Sequence, residues 1–510
     1  MPLARSWSIS LLGLDGHVVE IEADLANGIP GLAITGLPDA SLVEARDRVR
    51  AAMVNSGHAF PAKRVTLGLS PASLRKRGSG FDMALAAAVL AADGALPGGC
   101  LNGLVLIGEL GLDGRVRAVS GVLPSVLAAA RAGFRQVVVP LANAAEARLL
   151  PEMQVTGVDS LRSLVAHLRG EWTEPAPPAV PVPASPLERG PDLADVAGQP
   201  VGRFALEVAA AGGHHLFMTG PPGCGKTLLA ERLPGLLPAL SLEEALEVTA
   251  IHSVAEQLPA DFPLVTRPPF QAPHHGATAA SVVGGGSGVA RPGAASLAHR
   301  GVLFLDEAPE FRGGVLDALR QPLESGSISI RRVGGTATYP ARFTLVLAAN
   351  PCPCAKGEKT CVCRPQQRLG YLGRLSGPLL DRLDLQIALP AITRADVLAD
   401  AGTSKPSAAV AAKVAHARDR AIRRYRGTPW RINAEVPVPE LQRCWPVPRT
   451  ALNVLGKAMD DGHLTARGYA RVLRMAWTVA DLEGSGVPGA RDAQLALSLR
   501  LGALATGLAA

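Results

Sequence analysis

Residues 220–227 read Gly-Pro-Pro-Gly-Cys-Gly-Lys-Thr, which is a complete G-x-x-x-x-G-K-[ST] phosphate-binding loop. The apolar residues 216–218 precede the loop, and residues 228–233 after it have the character of a helix. In such a strand–loop–helix unit, backbone N–H groups surround a polyphosphate, Lys226 reaches its outer phosphates and Thr227 binds Mg²⁺. The predicted nucleoside triphosphate site consists of Gly220, Pro221, Pro222, Gly223, Cys224, Gly225, Lys226 and Thr227.

Two later strands supply the expected partners of this loop. Residues 301–307 form an apolar run that ends in Asp306 and Glu307. We expect Asp306 to hold the Mg²⁺ ion and Glu307 to orient and activate the attacking water. The buried strand predicted at residues 343–349 ends at Asn350, which would position the water or the γ-phosphate, although a loop-capping asparagine fits the spacing equally well.

Arg382 stands at a predicted helix–strand junction, in residues 377–384. An arginine there can reach the γ-phosphate bound by a neighbouring subunit and stabilise the charge of the transition state. The alternative is an ion pair with Asp381 or Asp384.

Composition limits the partners of the chain. Its 510 residues suggest about three domains. The net charge of +7 makes a polyanion a plausible partner, whereas an aromatic fraction of 4% argues against a base-stacking platform. Residues 1–13 lack the apolar segment of a signal peptide, and no apolar run approaches the ~20 residues of a membrane span. We therefore expect a cytoplasmic protein without a membrane partner.

A proline-rich stretch at residues 171–191 is the clear linker in the chain. It separates residues 1–170, where strands and helices are mixed, from the nucleotide-binding residues 192–400. Residues 401–510 are predicted to be mostly helical. Near the N-terminus, alternating residues predict a β-hairpin around Asp15-Gly16. The fold class is therefore a multidomain α/β chain with a helical C-terminal domain.

These motifs together resemble the AAA+ ATPases, and two intervening segments narrow the resemblance. Residues 271–286 read QAPHHGATAASVVGGG, and residues 296–307 read SLAHRGVLFLDE. Both closely resemble the magnesium-chelatase-like family, and within it the ComM/YifB branch. The resemblance covers essentially the whole chain. It implies an N-terminal Lon-protease-like (ribosomal S5-like) domain, an AAA+ core with hairpin insertions, and a C-terminal helical lid.

The family resemblance implies two hairpins, near residues 281–292 and at residues 327–339. The second contains Gly334-Gly335 between two alternating runs, which is a hairpin signal in itself. In related helicases such hairpins point into the pore of a homohexameric ring, so Arg331 and Arg332 would contact DNA phosphates. A solvated hairpin tip with two surface arginines is the alternative.

The same resemblance assigns two further arginines. Arg382 matches the arginine finger, and Arg467 matches the second sensor arginine, with Thr465 in place of the serine of the family. Arg471 and Arg474 follow at helical spacing and fit an ordinary helix surface. We also interpret the basic residues between 418 and 426 as solvated surface.

Residues 107–121 resemble the Lon-type protease domain, whose proteolytic members use a serine–lysine dyad. Matching the motifs of the dyad puts Gly78 at the nucleophile position and Leu123 at the base position. Ser79 is one residue away, and Lys76 is on a different segment. Because the base has to lie within about 3 Å of the hydroxyl, we expect a binding or assembly module and not a protease.

Four cysteines follow Asn350 at short spacing: Cys352, Cys354, Cys361 and Cys363. Four thiolates in one loop suit tetrahedral Zn²⁺, although the C-x-C spacing is tighter than the usual C-x₂₋₄-C. A reduced or redox-active cluster is the alternative.

The resemblance implies an ATP-dependent DNA motor of the ComM type, which acts as a helicase or branch-migration ATPase in recombination or natural transformation. Single-stranded or branched DNA would be its partner, and ATP and Mg²⁺ its cofactors, with Zn²⁺ on the cysteines. One alternative is a remodelling ATPase of the magnesium-chelatase type. Another is a Lon-like protease, which the missing dyad disfavours.

Overall fold

The structure is a computed structural model. It describes residues 3–37, 39–76, 78–172, 174, 190–259, 263–286, 290–332, 335–356, 361–399 and 405–502. The strands are β1 (Leu3–Leu12), β2 (Asp15–Ala26), β3 (Gly31–Thr35), β4 (Arg64–Ser70), β5 (Leu104–Leu106), β6 (Glu109–Leu110), β7 (Val116–Arg117), β8 (Gln136–Pro140), β9 (Gln154–Val158), β10 (Leu216–Thr219), β11 (Phe270–Gln271), β12 (Gly284–Gly285), β13 (Arg291–Pro292), β14 (Val302–Leu305), β15 (Ser327–Arg332), β16 (Gly335–Pro340), β17 (Thr344–Ala349) and β18 (Leu385–Ala388).

The helices alternate with these strands through most of the chain. They are α1 (Ala40–Asn55), α2 (Asp82–Ala92), α3 (Val122–Arg131), α4 (Ala144–Ala147), α5 (Leu161–Leu168), α6 (Pro200–Gly212), α7 (Lys226–Leu236), α8 (Leu242–Val254), α9 (Ala279–Val283), α10 (Ala294–Leu297), α11 (Gly313–Ala318), α12 (Pro322–Ser325), α13 (Pro365–Leu372), α14 (Gly377–Leu380), α15 (Arg394–Ala399), α16 (Ser407–Arg424), α17 (Val438–Cys444), α18 (Arg449–Asp460), α19 (Ala466–Glu483) and α20 (Ala490–Leu501). None of the described helices is both long and apolar enough to cross a membrane.

The N-terminal part is built on a seven-stranded mixed sheet, with the order β3-β4-β2-β1-β5-β8-β9. β1 and β2 form its long antiparallel hairpin, in which Leu12 pairs with Asp15. The turn is therefore Gly13-Leu14, and the predicted turn around Asp15-Gly16 is wrong by two residues. Gly13 has a φ of 69°, a left-handed conformation that glycine adopts without strain.

The nucleotide-binding part contains five strands in the order β11-β14-β17-β10-β18, and every pair is parallel. Parallel sheets are covered on both faces, which explains why β14 and β17 are buried throughout and nearly all apolar. The carboxyl ends of β10, β14 and β17 lead directly into the phosphate loop, Asp306 and Asn350. Ligands bind at this edge of parallel sheets, so the topology brings the predicted site together.

Two antiparallel hairpins accompany this sheet, β12–β13 and β15–β16. The first was expected near residues 281–292, but residues 281–283 belong to α9, so its strands are only two residues long. The second matches its expected extent. Residues 287–289 and 333–334 lie outside the described residues, so only Gly335 of the predicted Gly334-Gly335 pair is described.

The C-terminal residues are helical as predicted, and several of their arginines are structural. Arg424 forms an ion pair with Asp481 and lies 4.2 Å from the ring of Trp477. Arg418 donates to the Ala210 carbonyl at 2.7 Å, and Arg471 Nη1 lies 2.6 Å from Asp384 Oδ1. The interpretation of these side chains as solvated surface is wrong, because α16 and α19 pack against α6 and against each other.

Candidate nucleotide-binding site

The phosphate loop joins β10 to α7 and surrounds its own lysine. Lys226 Nζ donates to the carbonyls of Gly220 at 2.7 Å and Pro221 at 3.0 Å, and to Asn350 Oδ1 at 3.1 Å. The Lys226 side chain is only 8% exposed. A phosphate that entered the loop would replace these neutral acceptors with charged oxygens, which form stronger hydrogen bonds with an ammonium group.

Glycine is required at the start of the loop for steric reasons. A Cβ at Gly220 would lie 2.7 Å from both Cys224 Sγ and the Leu389 carbonyl oxygen. The Cys224 thiol itself is buried in the apolar core, and this burial raises its pKa. Its side chain therefore packs behind the loop as a neutral thiol.

Thr227 and Asp306 are placed as a pair at the edge of the sheet. Thr227 Oγ1 donates to Asp306 Oδ2 at 2.8 Å, and the Glu307 N–H donates to Asp306 Oδ1 at 2.9 Å. Neighbouring ligands of an octahedral Mg²⁺ ion, each at about 2.1 Å, lie about 3 Å apart. The two oxygens therefore fit adjacent positions around a magnesium ion.

Glu307 meets a residue to which the sequence assigned no role. His275 Nδ1 lies 3.1 Å from Glu307 Oε2, and both side chains are partly exposed. Glu307 also has a φ of 50°, which is uncommon for a residue other than glycine. The sheet topology explains this contact, because β11 and β14 are parallel neighbours and their carboxyl ends continue toward His275 and Glu307.

The sequence likewise assigned no role to Tyr371 of α13. Burial raises its pKa to about 12, with a further contribution from the negative charges of Glu310 and Glu307, so it stays a neutral phenol. The backbone of Asn350 lies close enough to lower this pKa in part. Tyr371 therefore lies beside the asparagine that contacts Lys226.

Arg382 and Arg467 contact none of the phosphate-loop residues within the described chain. Arg382 Nη1 donates to the Pro378 carbonyl at 2.6 Å, and Nη2 pairs with Glu324 of α12. The alternative that paired it with Asp381 or Asp384 is therefore wrong. Arg467 is exposed in the first turn of α19, where Thr465 caps the helix by accepting from the Gly468 N–H at 3.1 Å. Threonine thus performs the capping expected of serine.

The four clustered cysteines lie beside the site, just past Asn350. Their Sγ atoms all lie within 4.8 Å of one another, and three of the separations are 3.4, 3.5 and 3.7 Å. A tetrahedral zinc ion with Zn–S bonds of about 2.3 Å separates its sulfurs by about 3.8 Å, whereas a disulfide requires about 2.05 Å. The donor set fits zinc, and all four thiols are free.

Arg331 and Arg332 are both exposed at the end of β15, next to the hairpin tip. Their strand partners are Thr336 and Gly335. Among the described residues, neither guanidinium group forms an ion pair with a carboxylate, and both are exposed.

The N-terminal part shows why a serine–lysine dyad is not formed. The buried Lys76 Nζ donates to three carbonyls, those of Gly36 at 2.9 Å, Leu69 at 3.0 Å and Pro71. Ser79 Oγ donates instead to Glu109 Oε2. All three donors of the ammonium group are in use, so Lys76 has a structural role and does not activate Ser79.

Three protein-family models match successive parts of the chain. "Subunit ChlI of Mg-chelatase" matches residues 21–143, "Magnesium chelatase, subunit ChlI" matches residues 192–397, and "Magnesium chelatase, subunit ChlI C-terminal" matches residues 404–500.

Individual proteins are similar over nearly the full length. A Mycobacterium tuberculosis protein is 54% identical, over 98% of this chain and 99% of its own. YifB of Escherichia coli is 40% identical, over 98% and 97%. The competence protein ComM of Haemophilus influenzae is 40% identical, over 95% and 94%.

Proposed function

The chain belongs to the magnesium-chelatase-like AAA+ ATPase family that includes YifB and ComM, and on this premise we propose that it is an ATP-driven DNA motor. It would unwind DNA or migrate branches during recombination or natural transformation, as a homohexameric ring. The observation that carries the proposal is the β15–β16 hairpin, which exposes Arg331 and Arg332 beside an ATPase core. The name of its relative, competence protein ComM, points in the same direction.

Each residue of the nucleotide site has a defined task in this proposal. Lys226 holds the outer phosphates, and Thr227 and Asp306 hold the magnesium ion, which neutralises phosphate charge when bound. Glu307 orients the water and accepts its proton, for which its carboxylate has to turn away from His275. Asn350 contacts Lys226 at 3.1 Å and would hold the γ-phosphate or the water.

The lid and the neighbouring subunit would complete the site. Arg467 is exposed and therefore free to report the nucleotide state. Arg382 would act on the nucleotide of the adjacent subunit after it leaves Glu324.

The proposal is tested by ATP hydrolysis with and without DNA, together with strand displacement on forked and four-way substrates. We expect DNA to stimulate hydrolysis and ATP to drive displacement. Hydrolysis that is indifferent to DNA, with no displacement of any substrate, would favour a remodelling ATPase of the magnesium-chelatase type instead.

The arginine hairpin provides a quantitative test of DNA binding. Replacing both Arg331 and Arg332 with alanine is expected to weaken binding equally for all DNA sequences. The slope of the logarithm of the DNA-binding constant against the logarithm of the salt concentration should become shallower by about one to two units, because fewer counterions are released. Basal ATP hydrolysis should persist, since neither side chain belongs to the nucleotide site. Affinity is measured by fluorescence anisotropy across a salt series.

The matched control replaces Arg423 and Arg426, which are exposed near the end of α16. We expect that double variant to retain the wild-type slope. An unchanged slope in the hairpin variant, with a lower slope in the control, would place the DNA site on the C-terminal helices.

We also propose that Cys352, Cys354, Cys361 and Cys363 hold a structural zinc ion. The purified chain should contain about one zinc ion, and Cys354→Ser or Cys361→Ser should lose it, because structural sites use four protein ligands. Metal content is measured by mass spectrometry after gel filtration. Cys444→Ser is the control, since this exposed thiol lies outside the cluster. A metal-free chain with four reactive thiols would instead support a redox-active or reduced cluster.

A further inference from the structure

The N-terminal part contacts both hairpins of the ATPase core, either directly or through α8. We propose that it acts as a positioning scaffold that holds the arginine hairpin in place. This inference rests on the proposed function for its consequence in DNA binding, but its structural basis is independent of DNA.

The first connection runs from α3 to the end of α8. Glu146 Oε1 accepts hydrogen bonds from the Leu123 N–H at 2.8 Å and from Ser253 Oγ at 2.5 Å. The Gly121 N–H donates to the Ser253 carbonyl at 3.3 Å, and Ala250 is buried in the same apolar cluster as α3. A buried carboxylate and a backbone hydrogen bond thus join the N-terminal part to α8 beside an apolar contact.

The same end of α8 continues to the first hairpin. His252 Nε2 donates to the Leu297 carbonyl at 3.0 Å, just after that hairpin. Glu256 forms an ion pair with Arg291 of β13 at 3.3 Å. Displacement of α8 would therefore be transmitted to β12–β13.

The second connection is the β1–β2 turn, which touches the arginine hairpin itself. Leu14 packs against two apolar clusters, one built on α3 and one that contains Ile328, Ile330 and Ala337 of the hairpin. A Cβ at Gly13 would lie 3.2 Å from Ala337 Cβ. A Cβ at Gly335 would lie 2.9 Å from Leu12 Cδ2. The turn therefore supports β16 close to the tip that Arg331 and Arg332 flank.

The two hairpins are also joined to each other. Tyr339 Oη donates to the Ala290 carbonyl at 2.6 Å, and a Cβ at Gly284 would lie 2.8 Å from Ile330 Cδ1. Because a two-stranded hairpin is marginally stable by itself, its position depends on such supports. The scaffold gives the N-terminal part a role that requires no catalytic dyad.

The test introduces a charge at the shared contact, as Leu14→Asp in the full chain. We expect amide hydrogen exchange in residues 327–332 and 335–340 to become about tenfold faster, since the apolar contact of the partly buried Leu14 is lost. Basal ATP hydrolysis should stay within about twofold of wild type, while its stimulation by DNA should fall, because the nucleotide site is untouched.

Two variants serve as controls, and a third replaces Leu14→Asp if that variant does not fold. Leu14→Met should preserve hairpin protection, and so should Leu112→Asp, since Leu112 is 58% exposed on the β6–β7 turn. If Leu14→Asp does not fold, Leu12→Ala removes the contact with Gly335 without burying a charge.

Two outcomes separate this inference from the proposed function. Unchanged hairpin exchange in folded Leu14→Asp or Leu12→Ala would overturn the scaffold, regardless of the effect of DNA on ATP hydrolysis. Suppose that hairpin exchange is faster in the variants but that DNA does not stimulate ATP hydrolysis by the wild-type chain. This result would support the scaffold and count against the DNA motor.

Discussion

Glu307→Gln is expected to stop ATP turnover without loss of ATP binding, whereas Lys226→Ala is expected to abolish binding. Glu307 acts on the water and a general base contributes about 10²–10⁴-fold to rate, so the glutamine variant should lose turnover by that factor. Lys226 makes ground-state contacts with phosphate. Each charge-assisted hydrogen bond contributes about 1.5–3 kcal/mol, so the loss of two weakens binding by at least about 100-fold.

The two effects are separated by measuring binding and hydrolysis independently. Titration with a fluorescent ATP analogue gives the Kd, and phosphate release gives kcat. His275→Ala is an informative companion, because it removes the partner of Glu307 at 3.1 Å and leaves the carboxylate in place. Normal turnover by the Glu307→Gln protein would refute the assignment of the base.

Arg382→Ala is expected to be inactive alone but to regain partial activity when mixed with Lys226→Ala subunits. In a mixed ring, some interfaces combine an intact phosphate loop with an intact arginine from the neighbour. An arginine finger contributes about 10³–10⁵-fold to hydrolysis, so the recovered signal should be large. Hydrolysis is measured across a series of mixing ratios, with ring formation checked by sizing in the presence of ATP and DNA.

The partner of Arg382 within the chain provides a control for this experiment. Glu324→Gln removes the carboxylate that pairs with Arg382 and keeps the arginine. We expect this variant to retain hydrolysis, since the finger is free to reach the interface. Absence of recovery at every ratio, in rings of confirmed size, would count against an arginine that acts in trans.

Local sequence was sufficient to predict the position of candidate site residues wherever they follow one contiguous strand. The phosphate loop follows β10, and Asp306 and Glu307 follow β14, because an apolar run buried in a parallel sheet has to end where the polar residues begin. The same reasoning located Asn350, and the structure adds its contact with Lys226 at 3.1 Å.

Burial of helix residues was harder to predict, because it depends on neighbouring elements. Arg424 and Arg471 fit a solvated face by spacing alone, yet they pair with Asp481 and Asp384. Arginine covers apolar surface with its stem while its head finds an acceptor, so a basic helix pattern does not by itself indicate an exposed face.

The ATPase core could be predicted from the sequence alone, since its glycines, lysine and carboxylates lie in short contiguous segments that directly follow apolar strands. The contacts between distant residues became visible in the folded chain: His275 with Glu307, Arg382 with Glu324, and the β1–β2 turn with the arginine hairpin. These contacts depend on strand order and on helix packing, which bring together segments far apart in the chain. No local pattern encodes such pairs, because each partner alone is compatible with an exposed position.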